Sequence, residues 1–171
     1  AVYVGDRVRV EAIDPDQGRA VVAEVEPRHS FLTRPPVANV SLVAVVLAVE
    51  QPSFDTDQAS RFLLTAERTG LEVILLLTKT DLLSAAALER LVTRLKGWGY
   101  DPLALSSAAG TGIDALRQRL AGAQLSVLCG PSGVGKSSLL NQLRPDLQLR
   151  TAAVSGRLQR GRHTPRHVEL F

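Results

Sequence analysis

Hydrophobic and polar positions along this chain follow two different patterns. Near the amino end they alternate: Val8 and Val10 stand between Arg7, Arg9 and Glu11, and Asp14-Pro15-Asp16-Gln17-Gly18 leads into residues 20–25. A period of two broken by turn-forming residues predicts an antiparallel hairpin. Such a unit has too few strands to close a barrel, so the expectation is that part of a small β domain is missing ahead of it. Arg34-Pro35-Pro36 is the expected boundary, because two prolines stiffen the chain and interrupt a sheet ladder. From Val37 onward, apolar runs alternate with helical periodicity. Residues 42–49 are continuously apolar, as in a parallel strand covered on both faces. Asp55 or Thr56 can cap a helix carrying Phe62, Leu63 and Ala66 that Gly70 ends, and residues 73–77 form the next buried strand. Ser84 caps a helix with Leu88, Leu91, Val92 and Leu95, closed by Gly97. A short strand at 103–105, a helix at 113–120, a strand at 125–129 and a helix from about Lys136 complete the alternation. The predicted fold class is α/β, a doubly wound, mainly parallel sheet.

Composition narrows the class. With 171 residues, 45% hydrophobic and 22% charged, the chain can bury a core and is neither collagenous nor disordered. Residues 42–49 are too short to cross a bilayer, and no charged-then-apolar leader stands at Ala1, so no membrane partner and a cytoplasmic location are expected. The single cysteine, Cys129, cannot form an internal disulfide and is expected to be a core thiol. There is no methionine, so the chain is expected to be either trimmed or a fragment. The net charge of +3 hides an asymmetry: residues 1–85 carry 8 Lys/Arg against 12 Asp/Glu, residues 86–171 carry 12 against 5. Residues 150–167 contain Arg150, Arg157, Arg160, Arg162, Arg166, His163 and His167 and no acid. That stretch suits a polyanion or is simply a solvated loop. His163 and His167 have no Cys or carboxylate neighbours that would make a metal site.

The sharpest chemistry is Gly130-Pro131-Ser132-Gly133-Val134-Gly135-Lys136-Ser137, a complete G-x-x-x-x-G-K-[ST] between a strand and a helix. Its glycines let successive N–H groups face phosphate oxygens, with the positive end of the helix dipole behind them. Lys136 would meet the β/γ-phosphates and the Ser137 hydroxyl Mg²⁺, with Ser138 next in the same turn. Thr78-Lys79-Thr80-Asp81 follows the second buried strand. There, one carboxylate, that of Asp81, could accept both the N1–H and N2–H₂ of guanine. Lys79 could pack along the purine, and Thr78 could tie this loop to the phosphate loop; helix capping by Asp81 is the bland alternative. Ser106-Ser107-Ala108-Ala109-Gly110 lies at the same carboxyl edge, where α/β sheets bind ligands, and its N–H groups could reach guanine O6. Only three lysines exist, and Lys79 and Lys136 both fall in these motifs.

The phosphate loop comes last, after the base-reading loops. Val4-Gly5-Asp6-Arg7-Val8, Pro27-Arg28, Leu32-Thr33-Arg34-Pro35, Ala38-Asn39-Val40, these boxes and Gly161-Arg162-His163-Thr164 together resemble the circularly permuted, small-ribosomal-subunit-dependent GTPases, the ribosome biogenesis GTPase A family. The resemblance implies an OB-type barrel, here partial over residues 1–36, and a circularly permuted P-loop GTPase domain over 37–171. It implies a zinc domain as well, absent from this chain. It further implies GTP/GDP and Mg²⁺ as ligands, and hydrolysis stimulated by the small ribosomal subunit in its late maturation. The implied partners are that subunit and its rRNA, with a monomeric state expected. In that likeness His163 is the hydrolytic histidine and Thr164 a Mg²⁺ or γ-phosphate contact. Thr78 stands where the family has Asn, Ser107 where it has Ala, and Pro165 where it has Thr. No D-x-x-G occurs, which suggests truncation before switch II. A P-loop ATPase or kinase and a non-hydrolysing, nucleotide-sensing RNA-binding scaffold remain as alternatives.

Overall fold

The computed structural model describes residues 1–33 and 35–149. Strands β1 (Val8–Asp14) and β2 (Arg19–Val25) pair antiparallel, Val8 opposite Val25 and Asp14 opposite Arg19. Their turn is braced by the Asp14 carboxylate, which accepts from the N–H groups of Asp16 and Gln17 at 3.1 Å. β3 (Phe31–Thr33) and β4 (Pro36–Ala38) form a second hairpin with Thr33 opposite Pro36. The two prolines therefore do not interrupt a ladder as expected: Pro36 opens a strand, a position where its missing N–H is tolerated.

A four-stranded, wholly parallel sheet follows in the order β7-β6-β5-β8, built from β5 (Leu42–Ala48), β6 (Glu72–Thr78), β7 (Leu103–Ala104) and β8 (Ser126–Cys129). Helices α1 (Thr56–Glu67) and α2 (Ala85–Gly97) lie in its connections, as do α3 (Ile113–Ala121) and α4 (Lys136–Leu143). Asp55 caps α1 by accepting from the Gln58 N–H, and Ser84 caps α2 by accepting from that of Ala87. Every residue of β5 is buried. Its alternate side chains feed two cores. Val43, Val45 and Leu47 pack with Leu63 of α1 and Leu95 of α2, while Leu42, Ala44 and Val46 pack with Leu116 of α3 and Leu139 of α4. Coverage on both faces explains why β5 reads as an unbroken apolar run.

The amino-terminal segment meets the core around β5 through Val4 and Leu32, and polar groups tie the segment together. Asn39, at φ +59, accepts the His29 N–H on its side-chain oxygen (2.8 Å) and donates from Nδ2 to the Gly5 carbonyl (2.9 Å). Asp6 receives Arg28 Nε at 2.7 Å and Nη2 at 2.9 Å, and the Arg28 guanidinium lies 5.1 Å from the Tyr3 ring and 5.0 Å from that of Phe31. At Gly5 (φ +88) a Cβ would fall 2.1 Å from the Ala38 carbonyl oxygen. Only glycine permits that approach.

Candidate nucleotide site

The phosphate loop leaves β8 at Gly130. A Cβ there would lie 2.1 Å from the Val46 carbonyl oxygen, so the chain can cross the end of β5 only without a side chain. The loop enters α4 at Lys136, whose first-turn N–H groups have no intrahelical acceptor. Ser137 and Ser138 stand in that turn, half-buried, and Val134 is buried beneath the loop. The Lys136 ammonium curls over the loop and donates to the carbonyls of Gly130 (2.8 Å) and Pro131 (2.7 Å). Burial pulls its pKa down. An arriving phosphate would offer that ammonium charged acceptors in place of two carbonyls. Burial also pushes the Cys129 thiol up, opposed by the charge of Lys136, consistent with an inert, partly buried thiol.

The second loop begins where β6 ends. Thr78 is buried and donates its hydroxyl to the Val134 carbonyl at 2.5 Å. Lys79 adopts φ +59, a costly conformation for a side chain with a Cβ and one concentrated at functional sites. Its ammonium reaches the Gly133 carbonyl at 2.8 Å and also bonds the Gln51 carbonyl. Desolvation lowers its pKa, and the Asp81 carboxylate opposes that. The 3₁₀ turn Thr80–Leu82 presents Asp81 at the surface, while Thr80 is buried.

The third loop joins them. Ser106 is buried, donates to Asp81 Oδ1 at 2.5 Å and accepts the Ala109 N–H at 3.0 Å. Paired 3.0 Å bonds between the backbones of Ser106 and Thr111 close the loop, and Gln142 of α4 donates to the Ser107 carbonyl at 3.1 Å. Ala108 and Gly110 are exposed at its tip. The Asp81 carboxylate keeps acceptor capacity beyond the one bond from Ser106.

The structure thus brings together Gly130 to Ser138, Thr78 to Asp81 and Ser106 to Ala108. His163 and Thr164 lie outside the described residues, as does the basic stretch 150–167. Gln51 and Gln142 escaped sequence reasoning: each acts through an ordinary amide or carbonyl in no motif, and only the fold aims them. Among the described residues no group of three or more His, Cys, Asp or Glu side chains could hold a metal. For a Mg²⁺ ion, the hydroxyl of Ser137 in the first turn of α4 could serve as a protein ligand. A roomier hollow of about 380 Å³ lies between β6, Tyr100 and Arg119, away from all three loops.

A parallel sheet whose carboxyl edge carries a phosphate loop bonded directly to a T-K-x-D loop defines a P-loop nucleotide-binding fold. The chain belongs to the RsgA GTPase family, whose model matches residues 25–171. It is 96% identical over 171 residues to the small ribosomal subunit biogenesis GTPase RsgA of Synechococcus sp. (strain CC9605), covering all of this chain and 56% of that protein. Among solved structures it is similar to YjeQ from Thermotoga maritima, with a TM-score of 0.76 and 37% identity over 90% of this chain and 55% of that one. It is also similar to YloQ, a circularly permuted GTPase, with a TM-score of 0.66 and 33% identity over 85% of this chain and 51% of that one. The circularly permuted order read from the sequence is therefore the order of the fold. The chain spans about half the length of the curated relatives it matches.

Proposed function

We propose that this chain is the nucleotide-binding part of a Mg²⁺-dependent GTP hydrolase that acts on the small ribosomal subunit during its late maturation and is stimulated by it. The observation that carries the reading is the direct bonding of base loop to phosphate loop, Thr78 to Val134 and Lys79 to Gly133. It sets the guanine-reading carboxylate of Asp81 at a fixed reach from the phosphate cradle. The relatives' names, small ribosomal subunit biogenesis GTPase, support the partner. Residues 1–36 would be the later strands of an OB-type barrel and residues 37–171 the permuted GTPase, the whole working in the cytoplasm as a monomer.

In this reading the loop N–H groups and Lys136 hold the β- and γ-phosphates, and Ser137 offers its hydroxyl to Mg²⁺. The ion, when bound, neutralises charge that develops on the phosphate oxygens. Asp81, Lys79 and the N–H groups of the Ser106 loop orient the base. Thr164 contacts Mg²⁺ or the γ-phosphate, and His163 positions the attacking water, the role that in-line phosphoryl transfer assigns to such a residue.

The test uses full-length protein. Asp81→Asn exchanges an acceptor for a donor that opposes the guanine amine. It should weaken GTP binding roughly 10- to 150-fold, the worth of a hydrogen bond to a charged group, and partly restore XTP binding. Parent protein should turn over GTP faster with purified small subunits than alone. Unchanged GTP and XTP affinities in Asp81→Asn would remove the base reading, and equal turnover with and without subunits would remove the ribosomal role.

A further inference from the structure

Thr78 and Thr80 flank Lys79, are both buried, and send their hydroxyls to different loops. Thr78 Oγ1 donates to Val134 of the phosphate loop at 2.5 Å; its 3.3 Å approach to the Leu47 carbonyl is the weaker of the two contacts that its single proton can make. Thr80 faces the other way. Its N–H (3.2 Å) and its Oγ1 (3.0 Å) both donate to the carbonyl of Leu105. The next residue on each side forms the next rung, since Ser106 donates to Asp81 at 2.5 Å.

We infer that Thr80 is a positioning residue for base selectivity: its hydroxyl pins the Asp81 turn to the strand end at Leu105 and so sets the register of the Asp81–Ser106 rung. Thr78 and Thr80 then divide between them the joining of three loops, Thr78 holding the phosphate side and Thr80 the base side. The division follows from placement. Lys79 takes the left-handed conformation between them, so the residues on either side of it serve opposite neighbours. The turn that carries Asp81 is only three residues long; besides its own bonds from the Leu82 N–H to Lys79 and the Leu83 N–H to Thr80, it is held to the third loop, among the described residues, only at Leu105 and Ser106. The Thr80 backbone N–H and hydroxyl meet the same Leu105 carbonyl, so the hydroxyl adds a second bond that restricts rotation about the first. A carboxylate that must meet two adjacent guanine donors needs that second bond more than one meeting a single donor. Loss of the Thr80 hydroxyl should therefore degrade discrimination more than it degrades phosphate binding.

The inference rests on Asp81 reading the base, and the experiment separates the two. In full-length protein, dissociation constants for GDP, IDP and inorganic pyrophosphate are measured for parent, Thr80→Val, Thr80→Ser and Thr78→Val. IDP lacks the exocyclic amine. The parent should prefer GDP to IDP, and a parent without that preference would overturn the base reading itself. Thr80→Val should weaken GDP about 5-fold, the scale of one net hydrogen bond, lower the IDP-to-GDP ratio, and leave pyrophosphate unchanged. Thr80→Ser, which keeps the hydroxyl, should match the parent. Thr78→Val should weaken pyrophosphate and GDP together. If Thr80→Val lowers only the melting temperature, with the IDP-to-GDP ratio as in the parent, Thr80 is a packing residue and the inference fails. Should Thr80→Val not fold, Thr80→Cys replaces it, and an unchanged ratio there is equally decisive.

Discussion

The β1–β2 hairpin and strand β5 are both rich in valine, yet they end in opposite environments. In the hairpin Val10, Ile13, Val21 and Val22 are 40–66% exposed, whereas β5 is buried from end to end. Among the described residues ahead of Val37 no hydrophobic side chain is fully buried, and Val4 and Leu32 meet the β5 core only partly buried. Valine favours an extended strand in either place; what differs is what lies against it. Around β5 two pairs of helices take up alternate side chains. The hairpin keeps its shape through its turn and ladder, and the segments beside it are fixed by the Asp6–Arg28 pair and Asn39. The nucleotide site belongs entirely to the region around β5, where its three loops spring from the carboxyl ends of β6, β7 and β8.

The largest expected effect sharpens that contrast. Leu76 is fully buried in β6, and Leu76→Ala should cost about 2–5 kcal/mol through lost transfer energy and a residual cavity. Ile13→Ala, at a position 66% exposed, should stay within about 0.5 kcal/mol. Urea unfolding followed at Trp98 would measure both, and comparable losses would mean that the hairpin carries a core of its own.

Next comes Lys136→Ala, which separates binding from stability within the rigid region. The side chain bonds two carbonyls of its own loop and belongs to neither apolar cluster. Removing it should weaken GTP binding at least about 100-fold, equivalent to about 2.7 kcal/mol lost from a charged contact, with little change in the unfolding midpoint. Calorimetric titration beside thermal melts reads both. A large fall in the melting temperature would make Lys136 a structural clasp instead.

How much of this was legible depended on the region. The parallel sheet could be read because a strand buried on both faces leaves an unbroken apolar run, as residues 42–49 do. The caps at Asp55 and Ser84 could be read because their chemistry is local. The phosphate loop could be read because glycine positions and a lysine at fixed spacing are dictated by backbone geometry. The second hairpin was missed: Pro35 and Pro36 signal an interruption when the chain is taken alone, and only the partner Thr33 shows that Pro36 stands at a strand's first position. Ties between loops were legible only in part. Thr78 lies in a motif, so its link to the phosphate loop could be anticipated. The reach of Gln142 to Ser107 depends on α4 packing beside α3, which spans the chain and leaves no local signature. Gln51 offers only a backbone carbonyl, and every residue has one.

The smallest expected effect tests the polar fastening of the amino-terminal segment. Asp6 accepts two bonds from Arg28 and one, at 2.8 Å, from the Tyr3 N–H. Those contacts, the Arg28 hydrogen bonds first, hold its carboxyl at about 2, below the ordinary 3.8. A depressed carboxyl favours the folded segment whenever it is ionised: the contribution is full above about pH 4 and fades as the pH falls through about 2. Between these values the segment of residues 1–6 should loosen from the Arg28 region while β5 and its helices keep their protection, since no carboxylate in those elements is buried. Hydrogen exchange by mass spectrometry on peptides covering residues 1–31 and 42–49, from pH 5 down to 2 and corrected for intrinsic rates, should show the first peptide lose protection ahead of the second. In Asp6→Asn the first peptide should already be less protected at pH 5 and should change less on acidification. Equal pH dependence in parent and variant would mean that Asn39 and the backbone bond from the Ala38 N–H to the Val4 carbonyl (2.9 Å) fasten the segment without help from the ion pair.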